Sequence, residues 1–204
     1  MQTQCVSNQR QLGLGIQNFA TDNHAYPSAF ASTTSDNPGP WYVQLQRGGF
    51  DVSKPRTNFI YEGVWRCPSA QGSVDSRNGS IPISYGYNAF GVLAIGNPTN
   101  ALGLLGRFVS VSALFEPIRE SEVISPSEMT AMGDSFVGGV FFMREHLDYL
   151  DRGGRASSRH QGRVNVAFCD GHVESPTLKS AFEDTNDAAL VSWNRDHLPH
   201  RDRL

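Results

Sequence analysis

The chain has 204 residues, with 17 Lys and Arg against 20 Asp and Glu for a formal net charge of −3. That length suits one domain, or one domain with a large insertion, and the charge balance leaves no basic stripe to displace counterions from nucleic acid. Charged residues make up only 18%, whereas Gly (20) and Pro (11) are plentiful, so short strands joined by many loops are expected around a globular core. No run approaches the roughly 20 apolar residues that span a bilayer.

Residues 2–22 read as a helix, with Cys5, Leu12, Ile16 and Phe19 near one face at three- and four-residue steps. Gly13 and Gly15 each cost roughly 1 kcal/mol relative to Ala, which implies a helix supported by a sheet or a neighbouring subunit that approaches closely. Thr21-Asp22-Asn23 and Tyr26-Pro27 end it. Residues 28–40 are a loop by composition. Pro40 opens a short helix at its first position, with Gly48-Gly49 as the stop. Trp65-Arg66-Cys67-Pro68 leads into a polar loop, 71–79. Ile83, Tyr85, Tyr87 and Ala89 alternate as a strand, and 91–106 is an insertion without periodicity. A strand over 129–134 and another over 136–143 follow. A short helix at 178–182 and a final one over 187–193, capped by Asn186 or Asp187, complete the reading.

The most informative stretch is 158–175. Val164, Val166 and Phe168 alternate with Asn165, Ala167 and Cys169, the period of a strand with one buried face. Asp170-Gly171 is a two-residue type I′ hairpin signal, His172 to Glu174 start the return strand, and Pro176 stops it. On this reading His160 and Asp170 form a hydrogen-bonded pair fixing the hairpin ends, and Asp170 also bonds its own turn.

His160, nine intervening residues and then Asp170-Gly171 resemble the signature of the prepilin-type processing-associated His-x9-Asp-Gly domain, whose members (many with a DUF1559-type body) resemble type II secretion pseudopilins. Cys5, Asn8, Gln11 and Gly13, then Tyr26-Pro27, Cys67-Pro68-Ser69, Ser84 to Asn88, Pro126-Ser127 with Asp134, and Trp193-Asn194-Arg195-Asp196 also fall in family order, so the resemblance spans nearly the whole chain. It implies an α+β, pilin-like fold, an N-terminal helix packed on an antiparallel sheet with irregular insertions, in which 1–22 is the remnant of a spine and 23–204 the globular head of a single domain. It implies a leader and an apolar helix on the N-terminal side of Gln2, with Met1 an added start. The function implied is a non-enzymatic subunit of a secretion or pilus-like assembly on the periplasmic or extracellular side of the inner membrane. Its partners would be other pseudopilins packed through the helix at Gly13 and Gly15, a secreted or surface substrate, and the membrane, with no nucleic acid. The envelope location makes Cys5–Cys67 the expected disulfide, closing a loop worth about 4 kcal/mol in the chain-entropy model; three reduced cysteines are the alternative. Cys169 reads as a small buried hydrophobe.

For metal chemistry, Asp134, His160, Asp170 and His172 are weak ligand candidates, with His146 and Asp148 nearby, but none has tight zinc spacing. The resemblance adds a structural calcium near Asp184 and Asp187, without an EF-hand pattern. No catalytic residue is assigned: there is no Gly-x-Ser-x-Gly elbow at Ser135 or at Ser157-Ser158, and Cys169 with His172 lacks a third orienting group. A carbohydrate- or peptide-binding module is the alternative, with Trp41, Tyr42, Trp65, Tyr85, Tyr87 and Trp193 as exposed platforms or, equally, as core.

Overall fold

The computed structural model describes residues 2–29, 39–48, 62–70, 84–92, 100–110, 114–136 and 159–204. Helix α1 spans Gln2–Asn23 and α2 spans Trp41–Arg47. Strands β1 (Tyr85–Tyr87), β4 (Thr130–Asp134), β5 (Val166–Phe168) and β6 (Val173–Glu174) form a four-stranded sheet in the order β1-β4-β5-β6, with every pairing antiparallel. A separate ladder joins β2 (Arg107–Ser110) to β3 (Leu114–Glu116). Short helices α3 (Leu178–Phe182) and α4 (Asp187–Val191) follow the sheet. The class is α+β, an N-terminal helix with an antiparallel sheet.

The sheet is covered on both faces, so the expectation of one buried face for the 164–168 strand is corrected. Ala167 and Cys169 join Cys5, Leu12, Ile16, Trp41, Tyr85, Tyr87 and Met132 in one core cluster. Val164 and Val166 join Leu178, Phe182, Leu190 and Trp193 in a second. Successive side chains of a strand point to opposite faces, so the first cluster lies under α1 and the second under α3 and α4. Both parities must then be apolar or hydrogen-bonded, and the alternating pattern loses its meaning as an inside–outside code.

The buried face of α1 is partly polar: Asn8 and Gln9 are buried beside Cys5, Leu12, Gly13, Gly15, Ile16 and Ala20, while Phe19 is half-buried. Pro40 is the N-cap of α2 and not its first turn, and Gly48 closes the helix with its N–H on Gln44 O at 2.8 Å. Of the cap candidates for α4, Asn186 serves, its Oδ1 accepting from Ala189 N at 3.0 Å.

Part of the unplaced 91–106 stretch is core. Leu104 and Leu105 are fully buried, and the N–H groups of Leu102, Leu104 and Leu105 donate to Phe90, Asn88 and Ala89 carbonyls. Gly103 passes so close to the Asn88 and Ala89 backbone that a side chain there has no room. Ile83 and the expected 136–143 strand beyond Phe136 lie outside the described residues, as do the 71–79 loop, His146, Asp148 and Ser157-Ser158.

Candidate functional site

Where α1, the end of β4 and the entry to β5 meet, polar side chains converge in the interior. The centre is Asp134, the last residue of β4, with no exposed surface. Its Oδ1 accepts from Gln9 Nε2 at 3.0 Å and from Arg159 Nη2 at 2.9 Å. Its Oδ2 accepts from the backbone N–H of Asn165 at 2.8 Å and faces His160 Nε2 at 3.3 Å. A buried charge is tolerated only when paired and hydrogen-bonded, and Asp134 meets both conditions. Arg159 extends the network by donating from Nη1 to Ser135 O (2.8 Å) and from Nη2 to Ser84 O (3.0 Å), with its guanidinium 5.4 Å from the Phe136 ring centroid.

The backbone at 159–162 is shaped to aim two consecutive side chains at one carboxylate. His160 (φ 54, ψ 30), Gln161 (φ 57) and Gly162 (φ 76) all lie in the left-handed region, which costs side-chain-bearing residues roughly 1–2 kcal/mol each. In return Arg159 reaches Oδ1 and His160 reaches Oδ2 of the same Asp134, an arrangement that neighbours on a strand cannot achieve because they point oppositely.

Beside His160 lie the two cysteines of α1 and of the 66–70 turn. Cys5 and Cys67 are disulfide-bonded with Cα atoms 5.0 Å apart, both are fully buried, and Cys67 Sγ is 3.4 Å from His160 Nε2. One turn along α1, Asn8 Nδ2 donates to Arg66 O at 2.9 Å. The N-terminal half of α1 is thus tied to 66–67 and, through Gln9, to β4.

The structure separates the residues that the sequence groups as metal candidates. Asp134 and His160 belong to this interior cluster. Asp170 and His172 form a different, half-exposed pair, with His172 Nδ1 2.6 Å from Asp170 Oδ1 and its ring stacked on Phe168 at 4.2 Å. Among the described residues the one set of three or more ligand-type side chains close enough to share an ion is Cys5, Cys67 and His160. Asp184 and Asp187 are engaged singly, by Asn186 and Arg201.

The predicted His160–Asp170 pair does not form, because the left-handed turn carries His160 inward to Asp134 while Asp170 caps its own loop. That loop is also longer than predicted. Gly171 N donates to Phe168 O (2.9 Å) and Phe168 N to His172 O (3.0 Å), leaving Cys169-Asp170-Gly171 as a three-residue connection. Gly171 (φ 87) is its positive-φ residue, the form in which a turn is followed by a left-handed glycine.

Gly13, assigned to subunit packing, faces inward. A Cβ there would meet Gly171 Cα and O at 3.3 Å and Ala167 Cβ at 3.4 Å, so this glycine lets α1 lie directly on the β5–β6 turn. Gly15 is buried as well. Five of the six aromatic platforms are buried, and Tyr42 is half-buried. Trp41, Trp65, Tyr85, Tyr87 and Trp193 are at most 3% exposed, and Trp41 stacks on Tyr87 at 5.4 Å.

Cys169 is buried, and burial pushes its thiol far above the ordinary range, the reverse of what a nucleophile needs. Three further motif residues fasten neighbouring segments. Asn88 Nδ2 donates to Thr130 O and Trp193 O; Asn194 Oδ1 accepts from Val92 N; Arg195 Nη1 donates to Ala101 O and Gly103 O. Gln9 and Arg159 were missed in the sequence. A glutamine and an arginine beside recognisable motif residues are the only local signal, and their partners lie far away in the chain.

No helix among the described residues is long and apolar enough to cross a membrane. Compared with models of protein families, with curated proteins and with solved structures, the chain matches none.

Proposed function

We propose that this chain is a non-enzymatic, pseudopilin-like subunit of a type II secretion or type IV pilus-like assembly in the cell envelope, with a pilin-like head and α1 continuing an apolar spine from its N-terminal side. The observation that carries this reading is the 22-residue helix α1 held along the antiparallel sheet with one face free. Thr3, Ser7, Gln11, Leu14, Asn18 and Thr21 form an exposed stripe on that face, bordered by the exposed Arg10 and Asp22, with Leu14 46% exposed. The subunit contact belongs on this stripe and not at Gly13 and Gly15. The burial that raises the Cys169 thiol, and the burial of Trp41, Trp65, Tyr85, Tyr87 and Trp193, favour assembly over catalysis or glycan binding.

The test is a photo-crosslinking residue at Gln11 or Asn18, introduced into the gene in its own cell. Assembly through α1 gives adducts with other envelope subunits or with a second copy, lost when the probe is moved to Arg201 on the far C-terminal turn. A chain that gives no adduct from any position on the stripe contradicts the reading.

A further inference from the structure

The Cys5–Cys67 disulfide closes one edge of what is otherwise the ligand set of a metal ion. His160 Nε2 lies 3.4 Å from Cys67 Sγ and 3.3 Å from Asp134 Oδ2. In a tetrahedral zinc site with Zn–S near 2.3 Å and Zn–N or Zn–O near 2.0 Å, neighbouring S and N donors are about 3.5 Å apart and N and O donors about 3.3 Å apart. Two ligand–ligand edges are therefore already at zinc spacing. The sulfur–sulfur edge is shorter, because a covalent bond holds the atoms closer than two thiolates on one ion, and Asp134 stands outside the group of mutually close donors formed by Cys5, Cys67 and His160.

We propose that reduction of Cys5–Cys67 converts this cluster into a zinc site with Cys5, Cys67 and His160 as ligands and with the neighbouring Asp134 carboxylate, 3.3 Å from His160 Nε2, drawn in to complete the tetrahedron. The chemistry balances: a thiol or phosphine reductant supplies two electrons, two protons come from solvent, and the disulfide becomes two thiols. Zinc then displaces both thiol protons to solvent and binds the thiolates, the Nε2 lone pair and Oδ2. Charge balances as well. Oxidised, the interior holds the Asp134 carboxylate against the Arg159 guanidinium at 2.9 Å. Reduced and loaded, the +2 ion and Arg159 offset two thiolates and one carboxylate, so the buried cluster is neutral in both states, as a low-dielectric interior requires. A thiolate-rich set selects zinc over hard cations such as calcium and magnesium.

Asp134 Oδ2 holds the ring proton on His160 Nε2, so presenting the Nε2 lone pair to an ion moves that proton to Nδ1, which is buried without a hydrogen-bond partner among the described residues. One further feature fits. Asp134 Oδ1 is already oriented by Gln9 and Arg159, the outer-shell support that metal-binding carboxylates ordinarily have. Under this scheme α1 stays fastened to the 66–67 turn in either redox state, by a covalent bond or by an ion. The inference is independent of the assembly reading.

The experiment uses the full chain with Cys169→Ser, so that two cysteines remain. It is reduced with a phosphine in urea and refolded with or without Zn²⁺, alongside the untreated oxidised protein. The reduced chain is expected to retain about one zinc per molecule after gel filtration, and Co²⁺ in its place to give the intense visible ligand-field bands of a tetrahedral site together with thiolate charge transfer. Oxidised protein retains none. Cys67→Ser and His160→Gln each lower affinity by more than the roughly 10–100-fold seen for loss of an outer-shell partner. Retention that ignores either substitution overturns the proposal. So does a reduced chain that refolds without taking up zinc, or one that fails to regain its circular dichroism when zinc is added.

Discussion

Burial is the first cause of the Cys169 thiol's upward shift, with Asp170 adding to it and a bond to Tyr26 opposing it. A thiol whose folded pKa exceeds its unfolded value stabilises the fold fully below the unfolded pKa, and that stability is lost as pH rises towards the folded value. The window therefore opens near pH 8.5, and the loss from Cys169 approaches about 1.4 kcal/mol per pH unit above it. Urea midpoints measured from pH 8 to 10 should fall more steeply for the natural chain than for Cys169→Ala, and the native thiol should be inert to aromatic disulfide reagents. Tyr26, Tyr85 and Tyr87, raised chiefly by the same burial, add to the alkaline loss above their ordinary range near pH 10. Cys169 was readable in the sequence as a small buried hydrophobe from its place inside the hairpin strand, although it lies on the parity of Asn165 and Ala167, opposite Val164 and Val166. The partner of His160 was not readable, since nothing local to His160 indicates a carboxylate on another strand.

Among the elements, the contact between α1 and the β5–β6 loop decides how closely the helix can lie on the sheet. Gly171 has φ 87, and a Cβ there would stand 3.2 Å from Leu14 Cδ2. Gly171→Ala combines a left-handed alanine, costing roughly 1–2 kcal/mol, with pressure on a flexible leucine end that is able to move. Chemical denaturation should show a loss of about 1–2 kcal/mol with little change in the slope with denaturant. The Asp-Gly pair announced a turn, and the turn is there. Its length was misread, because the two-residue rule assumes both turn residues at positive φ, whereas the chain uses glycine alone and places Asp170 to cap His172 N at 3.1 Å. Helix α1 was legible from its periodicity over almost its whole length. Its polar inner residues, Asn8 and Gln9, were not, because hydropathy assigns amides to solvent unless buried partners are already known. The glycines were legible as close-approach positions, and the approach proves to be to the chain's own turn.

Across the whole molecule, the buried cluster around Asp134 fastens elements together. Asp134 joins α1 through Gln9, the 159–165 segment through Arg159 and the Asn165 N–H, and, by way of Arg159, the Ser84 carbonyl beside β1. These are the connections that the α+β reading required and that no local pattern could supply, since each pairs positions remote in sequence. This cluster is the interior fastening of the fold. Asp134→Asn tests it most directly: the side chain keeps its shape, but Arg159 loses its counter-charge and an amide NH₂ is turned towards groups that are themselves donors. Removing one member of a buried ion pair costs about 3–5 kcal/mol. The variant should therefore unfold at markedly lower urea, and hydrogen exchange should show protection lost together in α1, β4 and β5. An Asp134→Asn chain within about 0.5 kcal/mol of the natural one, the range of an ordinary surface substitution, would contradict the account.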